Sequence, residues 1–310
     1  MDFKIVTLTA DDYSEVVREH TPEMPDSETI KSYEEKCTDD TVLHNLGVIT
    51  TDGNLVGFGR YVSGTWDPIL KPGHVHVTVK VDEEWRHKGV GSLILEDIEN
   101  RARKNNAKVL QADVMDTSEA ELEWSKEKGF EINSHTFDSQ LDLSSFDKRP
   151  YNSTIERLES SGIHFTSLAA FPQDDETYNR YWDLWWELVT DIPNMENTPR
   201  PDNERMTKLA EEFDKKGFIL AVDEGEWVAL SMIVKGDDFC YNSMTGVKPE
   251  YRGKGIASAI KVKAIEYALQ CGVKYVRTNN DSNNSPMLSV NQKLGYKSNP
   301  GFYGLIKTIH

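Results

Sequence analysis

The chain has 310 residues, about twice the length of an ordinary single domain, so two domains are expected. Hydrophobic residues make up 38% and charged residues 28%, enough apolar material for two cores and ordinary for a globular chain. A formal net charge of −17 argues against nucleic acid or an anionic membrane as partner, since both reward clustered Lys and Arg. No apolar run approaches the roughly 18 residues of a membrane span.

The opening MDFKIVTLTADDY lacks a basic stretch followed by an apolar one, so no secretory signal is expected. Cys37, Cys240 and Cys271 are odd in number and far apart. They fit neither a disulfide framework nor a cysteine zinc site, and point to a reducing, cytoplasmic setting.

Taken in order, FKIVTLT alternates as a strand, and Asp11 to about Cys37 has helical spacing with Asp26 as a plausible N-cap. Two strands follow in VLHNLGVITTDGNLVGFGRYVSG, joined through Asp52-Gly53. HVHVTVKV is a strand and SLILEDIENRARKNNA a helix with its apolar face at Leu93, Ile94, Leu95 and Ile98. VLQADVM, a short helix closed by Gly129, and FEINSHTFDSQLDL complete the first half. A polar joint, SFDKRPYNSTIERLESSG, carries a short helix. The second half gives the strand HFTSLAAF, helices between Asp175 and Phe213, and the strands GFILAVD, WVALSMIVK and FCYNSMTGV. It ends with a helix from Ile256 to Cys271, the strand VKYVRTNN, a helix from Ser285 to Leu294 and the strand GFYGLIKTI. Such alternation predicts an α/β layered fold with a mixed sheet.

The halves repeat each other. VDEEWRHKGVG begins at position 81 and VKPEYRGKGIA at 247, with Val81/Val247, Glu84/Glu250, Arg86/Arg252, Lys88/Lys254 and Gly89/Gly255 each 166 residues apart. The pairs Gly129-Phe130 and Gly295-Tyr296 recur at the same interval. Upstream, Pro25-Asp26-Ser27-Glu28 resembles Pro201-Asp202-Asn203-Glu204 at an offset of 176. Three markers in order imply a duplicated domain, and we place the copies at 1–148 and 149–310.

In each copy a strand leads through a glycine turn straight into a helix. Glycines let consecutive N–H groups face one point, and the first N–H groups of the helix are unpaired at its positive dipole end. Arg86 and Lys88, like Arg252 and Lys254, add fixed positive charge, a setting suited to a pyrophosphate. A GxxxxGK[ST] loop is absent, and the turn comes too late in each copy for a dinucleotide fingerprint.

VKPEYRGKGIASAI and VDEEWRHKGVGSLI resemble the acetyl-CoA signature of the GNAT N-acetyltransferase superfamily, [Q/R]-x-x-G-x-[G/A] after a strand. TNNDSNNSPMLSVNQKLGY is similar to the family's later segment, and the duplication resembles a tandem, mycothiol-synthase-type arrangement. The resemblance implies two GNAT-like domains, each a mixed, largely antiparallel sheet flanked by helices. It implies that Val247 and Val81 pair sheet-fashion with pantetheine amides. Arg252, Gly253, Lys254, Gly255, Ile256 and Ala257, with Arg86, His87, Lys88, Gly89, Val90 and Gly91, then form pyrophosphate turns. Asn284 matches an asparagine that faces the cofactor, with Ser118 as its counterpart. Where members often carry a tyrosine that protonates the leaving thiolate, this chain has Asn291 and Ser125.

The activity implied is acetyl-CoA-dependent transfer of an acetyl group directly to a primary amine of a small molecule or peptide, with the second copy as the catalytic one and no metal. Glu187, Asp191 and Glu226 are candidate bases. YWDLWWELVTDIP (181–193) either lines an acceptor pocket or is core. His74 and His76 share a strand face but lack a third metal ligand. The alternative is a non-catalytic acyl-CoA-binding or structural protein, favoured by the missing phenol in both copies.

Overall fold

A computed structural model describes residues 2–9, 11–13, 41–64, 70–193, 195 and 198–310. The expected N-cap Asp26, Cys37, the markers 25–28 and most of the first helix lie outside these residues. Compactness divides the chain into unit one, residues 1–133, 197–199 and 303–310, and unit two, residues 134–196 and 200–302. The repeat junction near Lys148 is therefore a proposal about the sequence and not a border of compact units. The last strand of the second copy, from Tyr303, belongs to unit one, and the last strand of the first copy, from Ser134, belongs to unit two.

Unit one holds β1 (Phe3–Thr7), β2 (Val42–Thr50), β3 (Leu55–Ser63), β4 (His74–Val81) and β5 (Val109–Met115) as neighbours in that order. The β2–β3 hairpin turns at Gly53, whose φ of 89° suits glycine. β1 to β4 pair antiparallel, whereas β4 and β5 run parallel. α1 (Val90–Lys104) buries Val90, Ile94, Leu95, Ile98 and Ala102 at helical spacing. They close over Leu46, Val48, Val56, Val75, Val77 and Leu110, with Leu305 and Ile309 from the C-terminal strand. α2 (Glu119–Glu127) follows β5, and Gly129 just beyond it takes φ of 84°, as a helix-stopping glycine should.

Unit two repeats the plan. From Ser134 it takes most of β6 (Glu131–Asp142), which pairs antiparallel with β11 (Tyr275–Asp281). The order continues through β10 (Phe239–Val247), β9 (Glu226–Lys235), β8 (Phe218–Asp223) and β7 (Ile163–Ser167). The joint helix is α3 (Arg149–Ser160); then come α4 (Asp175–Val189), α5 (Asn203–Leu209), α6 (Ile256–Gln270) and α7 (Ser285–Leu294). β12 (Lys297–Thr308) ends the chain, its first half in unit two.

Strand alternation in unit two sends two sets of side chains to two faces. Ile219, Ala221 and Ile233 join Ile256, Ile260 and Ile265 of α6 in one core; Phe218, Leu220 and Leu230 join Trp182, Leu184 and Leu188 of α4 in the other. The sheet is thus covered by α6 on one face and α4 on the other. Of the tryptophans whose role the sequence left open, Trp182 is core and donates Nε1 to Thr207 Oγ1 at 2.9 Å. Trp185 and Trp186 are half-buried against the same cluster.

Candidate functional site

The parallel β10–β11 ladder is short. It pairs Phe239 with Tyr275, Cys240 with Val276 and Tyr241 with Arg277, and stops, although β10 runs on to Val247 and β11 to Asp281. Two parallel strands that stop pairing halfway leave an open edge of N–H and C=O groups on each, a slot that an extended ligand can enter as a strand would. β4 and β5 behave alike, pairing only from His74/Val109 to His76/Gln111.

At the point where β10 leaves its neighbour it also bulges. Its pairing with β9 shifts between Asn242 and Met244, so Ser243 is one residue more than the partner strand supplies. A bulge frees backbone groups, and here a side chain takes them up. Asn242 donates Nδ2 to Met232 O at 2.9 Å, to Met244 O at 3.0 Å and to Ser231 Oγ at 3.0 Å. Its Oδ1 accepts from Thr245 Oγ1 at 3.1 Å and from Lys261 Nζ at 2.6 Å, while Thr278 Oγ1 donates to Asn242 O at 2.8 Å. Lys261, on α6, is 1% exposed. Burial pushes its amine down to about 7, and its Nζ also lies 5.2 Å from the centre of the Tyr296 ring. Sequence reading missed this network. The signal was present: Lys261 falls among Ala257, Ala264, Ile265 and Ala268 on the apolar side of its helix.

Beyond Val247 the chain makes a short 3-10 turn, Pro249–Tyr251, and reaches the glycine turn. Gly253 and Gly255 have φ of 76° and 91°, left-handed values that glycine adopts without a clash. A Cβ on Gly255 would come within 2.9 Å of Thr154 Cγ2, whereas one on Gly253 would meet nothing within 4 Å. Gly255 is the N-cap of α6 and offers no side chain to the first N–H groups. The N–H groups of Ile256 and Ala257 thus open the helix without a side-chain cap, where the helix dipole favours negative charge.

Arg252 braces the turn, donating Nε to Val247 O at 3.0 Å, and pairs with Asp191 through Nη2. Lys248 pairs with Glu187 at 3.5 Å. Two carboxylates one turn apart at the end of α4 thereby hold two cations of the turn. Lys254 lies 4.5 Å from the centre of the Tyr251 ring. Arg157 of α3 donates to Lys254 O at 2.7 Å, a contact from the joint helix that no motif announced.

The first copy matches the turn with differences. Arg86 donates Nε to Val81 O at 3.3 Å, Lys88 lies 4.6 Å from the centre of the Trp85 ring, and Gly89 caps α1 with φ of 89°. His87 occupies the left-handed position that Gly253 fills in the second copy, with φ of 60°. Val90 opens α1 as a buried residue, and a Cβ on Gly91 would stand 3.2 Å from the Trp124 ring.

Glu187 and Glu226 line one cavity of about 650 Å³ in unit two, together with Glu176, Asp183, Trp227 and Lys248. Asp191 is committed to Arg252 instead. Asn284 caps α7, its Oδ1 accepting from Met287 N at 3.3 Å. Asn291, 2% exposed, donates Nδ2 to Asn280 Oδ1 at 2.5 Å, while its own Oδ1 is buried without a partner. Ser125 donates to Glu121 O at 2.8 Å. Cys240 is buried, its thiol pushed up to about 12 mainly by that burial. His76 pairs with Asp113 at 2.9 Å, and among the described residues no cluster of three His, Cys, Asp or Glu could hold a metal ion.

The model of the acetyltransferase (GNAT) family matches residues 12–130 and again 180–296. A mycothiol acetyltransferase of Pseudarthrobacter chlorophenolicus is 30% identical over 95 residues, which cover 27% of this chain and 28% of that protein. The match therefore spans less than a third of the relative's length. Among solved structures, a GCN5-related N-acetyltransferase from Sphaerobacter thermophilus superposes with a TM-score of 0.73 at 15% identity, over 99% of this chain and 95% of that one. A tandem GNAT protein from the clavulanic acid biosynthesis pathway gives 0.68 at 18% identity, over 99% and 98%. These two likenesses concern the fold. The two family matches span most of the chain, and it belongs to the acetyltransferase (GNAT) family as a tandem member.

Proposed function

We propose that this enzyme is an acetyl-CoA-dependent N-acetyltransferase, that unit two carries the reaction, and that the acceptor is a primary amine of a small molecule or peptide. The observation that supports this reading most is the slot where β10 leaves β11, with a bulge at its mouth and a glycine-opened helix end beyond it. Each part meets one part of a coenzyme A thioester. The open edge of β10, down to Val247, is complementary to the amides of a pantetheine arm; the N–H groups of Ile256 and Ala257, with Lys254 beside them, suit a pyrophosphate. The dipole end of α6 contributes about 0.3–1 kcal/mol per anionic contact and more where solvent is excluded.

Acetyl-CoA supplies the activated acyl group. The protein has to orient, polarise and deprotonate. In this reading backbone N–H groups at the bulge polarise a carbonyl lying along β10, a role in which losing one donor costs about 10²–10³ in rate. Holding carbonyl and amine in line contributes up to about 7–11 kcal/mol through avoided entropy loss. A lysine-like amine ionises near pH 10.4, so a base has to take its proton. We assign this to Glu187 or Glu226, which share a cavity, through a water molecule. Asp191 is the weaker candidate, because it is paired with Arg252. Four carboxylates, Glu176, Asp183, Glu187 and Glu226, against Arg180 and Lys248 leave that lining net acidic, which favours a cationic acceptor.

A second reading, an acyl-CoA-binding protein without transfer, draws on Asn291. At the place of the family's phenol it is buried and bonded to Asn280. One assay separates the two. Acetyl-CoA is titrated calorimetrically and then incubated with a panel of amines while free thiol is followed. Heat with thiol release supports the transferase. Heat with no release for any amine supports the binding protein, and no heat at all removes both.

A further inference from the structure

A lysine in a protein core needs a reason, and Lys261 has no carboxylate beside it among the contacts of its amine. Its hydrogen bond goes to a neutral amide oxygen, Asn242 Oδ1, at 2.6 Å, and its remaining neighbour is the Tyr296 ring. The fold itself does not require it. The shared registers of β3–β4 and β9–β10 align the two copies residue by residue. Lys261 then corresponds to Leu95, Asn242 to Val77, Thr245 to Val79, Ser231 to Gly59 and Thr278 to Ala112. Unit one builds the same helix-on-sheet layer from apolar or missing side chains and has no register shift between β3 and β4. The polar set and the bulge occur together in unit two.

The bonds say what the set does. Asn242 reaches the carbonyls of Met232 and Met244, one on each strand flanking the shift. Lys261, anchored on α6, fixes the other end of the same amide, as does Thr245. An asparagine amide held at both ends cannot rotate, so the carbonyls it serves cannot rotate either. Met244 O shares its peptide plane with the Thr245 N–H, and Asn242 O, held by Thr278 Oγ1, shares its plane with the Ser243 N–H, so the directions of these two N–H groups of the bulge are fixed. An uncharged amine still carries two N–H donors, so the contact to Asn242 Oδ1 can form in either protonation state, with the ammonium giving the stronger bond. Fixed N–H direction is what transition-state polarisation depends on.

We propose that Lys261 is a positioning residue for acyl transfer: through Asn242 it locks the β10 bulge in the geometry that polarises the thioester carbonyl. This rests on the transferase reading of unit two. The Lys261→Met variant keeps the length of the side chain and removes its donors. Three measurements are made on the full-length wild type and the variant: calorimetric binding of acetyl-CoA, kcat and KM for thiol release, and amide hydrogen exchange at residues 243–245. The expected result is a kcat lowered about 10- to 100-fold, with acetyl-CoA affinity and KM within about 3-fold of wild type. Exchange at 243–245 should rise at least 10-fold while Ile260 and Ile265 stay protected. A variant with wild-type exchange at the bulge overturns the proposal, and so does one in which binding falls as far as kcat. If Lys261→Met does not fold, Thr245→Val loosens the same amide from the other side, and unchanged bulge exchange there has the same force. Wild type that binds no acetyl-CoA would instead remove the transferase reading, while the exchange comparison still decides whether Lys261 locks the bulge.

Discussion

Two copies of one fold in a single chain make their own control experiment. Unit one and unit two share the short parallel ladder, the arginine that closes onto its own strand end, and the glycine N-cap. They differ in the strand that leads there. β4 pairs with β3 in one unbroken register and is backed by Val77, Val79 and Leu95; β10 is shifted by Ser243 and backed by Asn242, Thr245 and Lys261. They differ also at the turn, where unit one places His87 in a left-handed conformation that costs a side chain roughly 1–3 kcal/mol and unit two places Gly253. Features that both units keep do not tell the halves apart. Those found only in unit two include a buried amine that shape does not need, and they support the proposal that unit two is the reacting half.

The largest test of that contrast is a matched pair of substitutions. Gly255→Glu puts a carboxylate into the N–H nest of α6, and we expect calorimetric binding of acetyl-CoA to unit two and all thiol release to be lost. Gly89→Glu, at the same place in unit one where a Cβ has open space, should leave turnover within about 3-fold. Equal loss from both would mean that the halves share the work. Because both glycines have a left-handed φ and Gly255 also has Thr154 close by, the melting temperature of each variant is needed beside its kinetics. Next in size is deletion of Ser243, which gives β10 the register of β4. Removing the bulge should cost about 10²–10³ in kcat, as losing an oxyanion donor does, with acetyl-CoA still bound. Undiminished kcat would show that the bulge polarises nothing.

The sequence disclosed the plan of the molecule better than its division or its working parts. Hydrophobic period and turn chemistry located α6 and α7 to within a residue or so, because an apolar run opened by Gly255 or ended by Gly295 admits few alternatives. The 166-residue offset located the two glycine turns. What the sequence did not show came from non-local pairing. That β10 and β11 part after Tyr241 is a property of two strands far apart in the chain. The bulge left one trace: β4 and β10 begin 165 residues apart and end 166 apart, and a one-residue slip is invisible until register is known. Compactness gave Tyr303–His310 to unit one for the same reason. Asn284 and Arg252 matched a motif, yet the first caps a helix and the second is shared with Asp191.

A third test reads the buried amine through stability. Lysine ionises near 10.4 when unfolded, and burial holds Lys261 near 7. Between those values the unfolded chain binds the extra proton, so stability rises with pH from about 7 to 10 and the contribution falls away as pH drops toward 7. One such group gives a slope of up to about 1.4 kcal/mol per pH unit. Denaturant titrations of wild type and Lys261→Met across that window should differ by such a slope, with the variant the flatter of the two and no less stable at pH 7. Parallel curves would mean that the amine is solvated in the folded state. Leu95→Met, its unit-one counterpart, should leave the curve's shape unchanged.

The smallest effect has the most informative sign. Asp191 is about half exposed and pairs with Arg252, also about half exposed, and such pairs contribute only about 0–1 kcal/mol to stability. Asp191→Asn should therefore barely move the melting temperature. The roles open to Asp191 predict opposite kinetics. If its carboxylate only restrains Arg252, neutralising it frees the guanidinium for a phosphate, and coenzyme A should bind about 2- to 5-fold more tightly, most visibly at low salt where exposed charges are least screened. If it removes the amine proton, affinity should hold while kcat falls by about 10² or more at neutral pH. Because Asp191 is tied to the arginine whereas Glu187 and Glu226 face a common cavity, we expect the first outcome. A loss of affinity would show that the pair holds the turn in shape for the anion, giving the end of α4 a part in binding that neither partner would have alone.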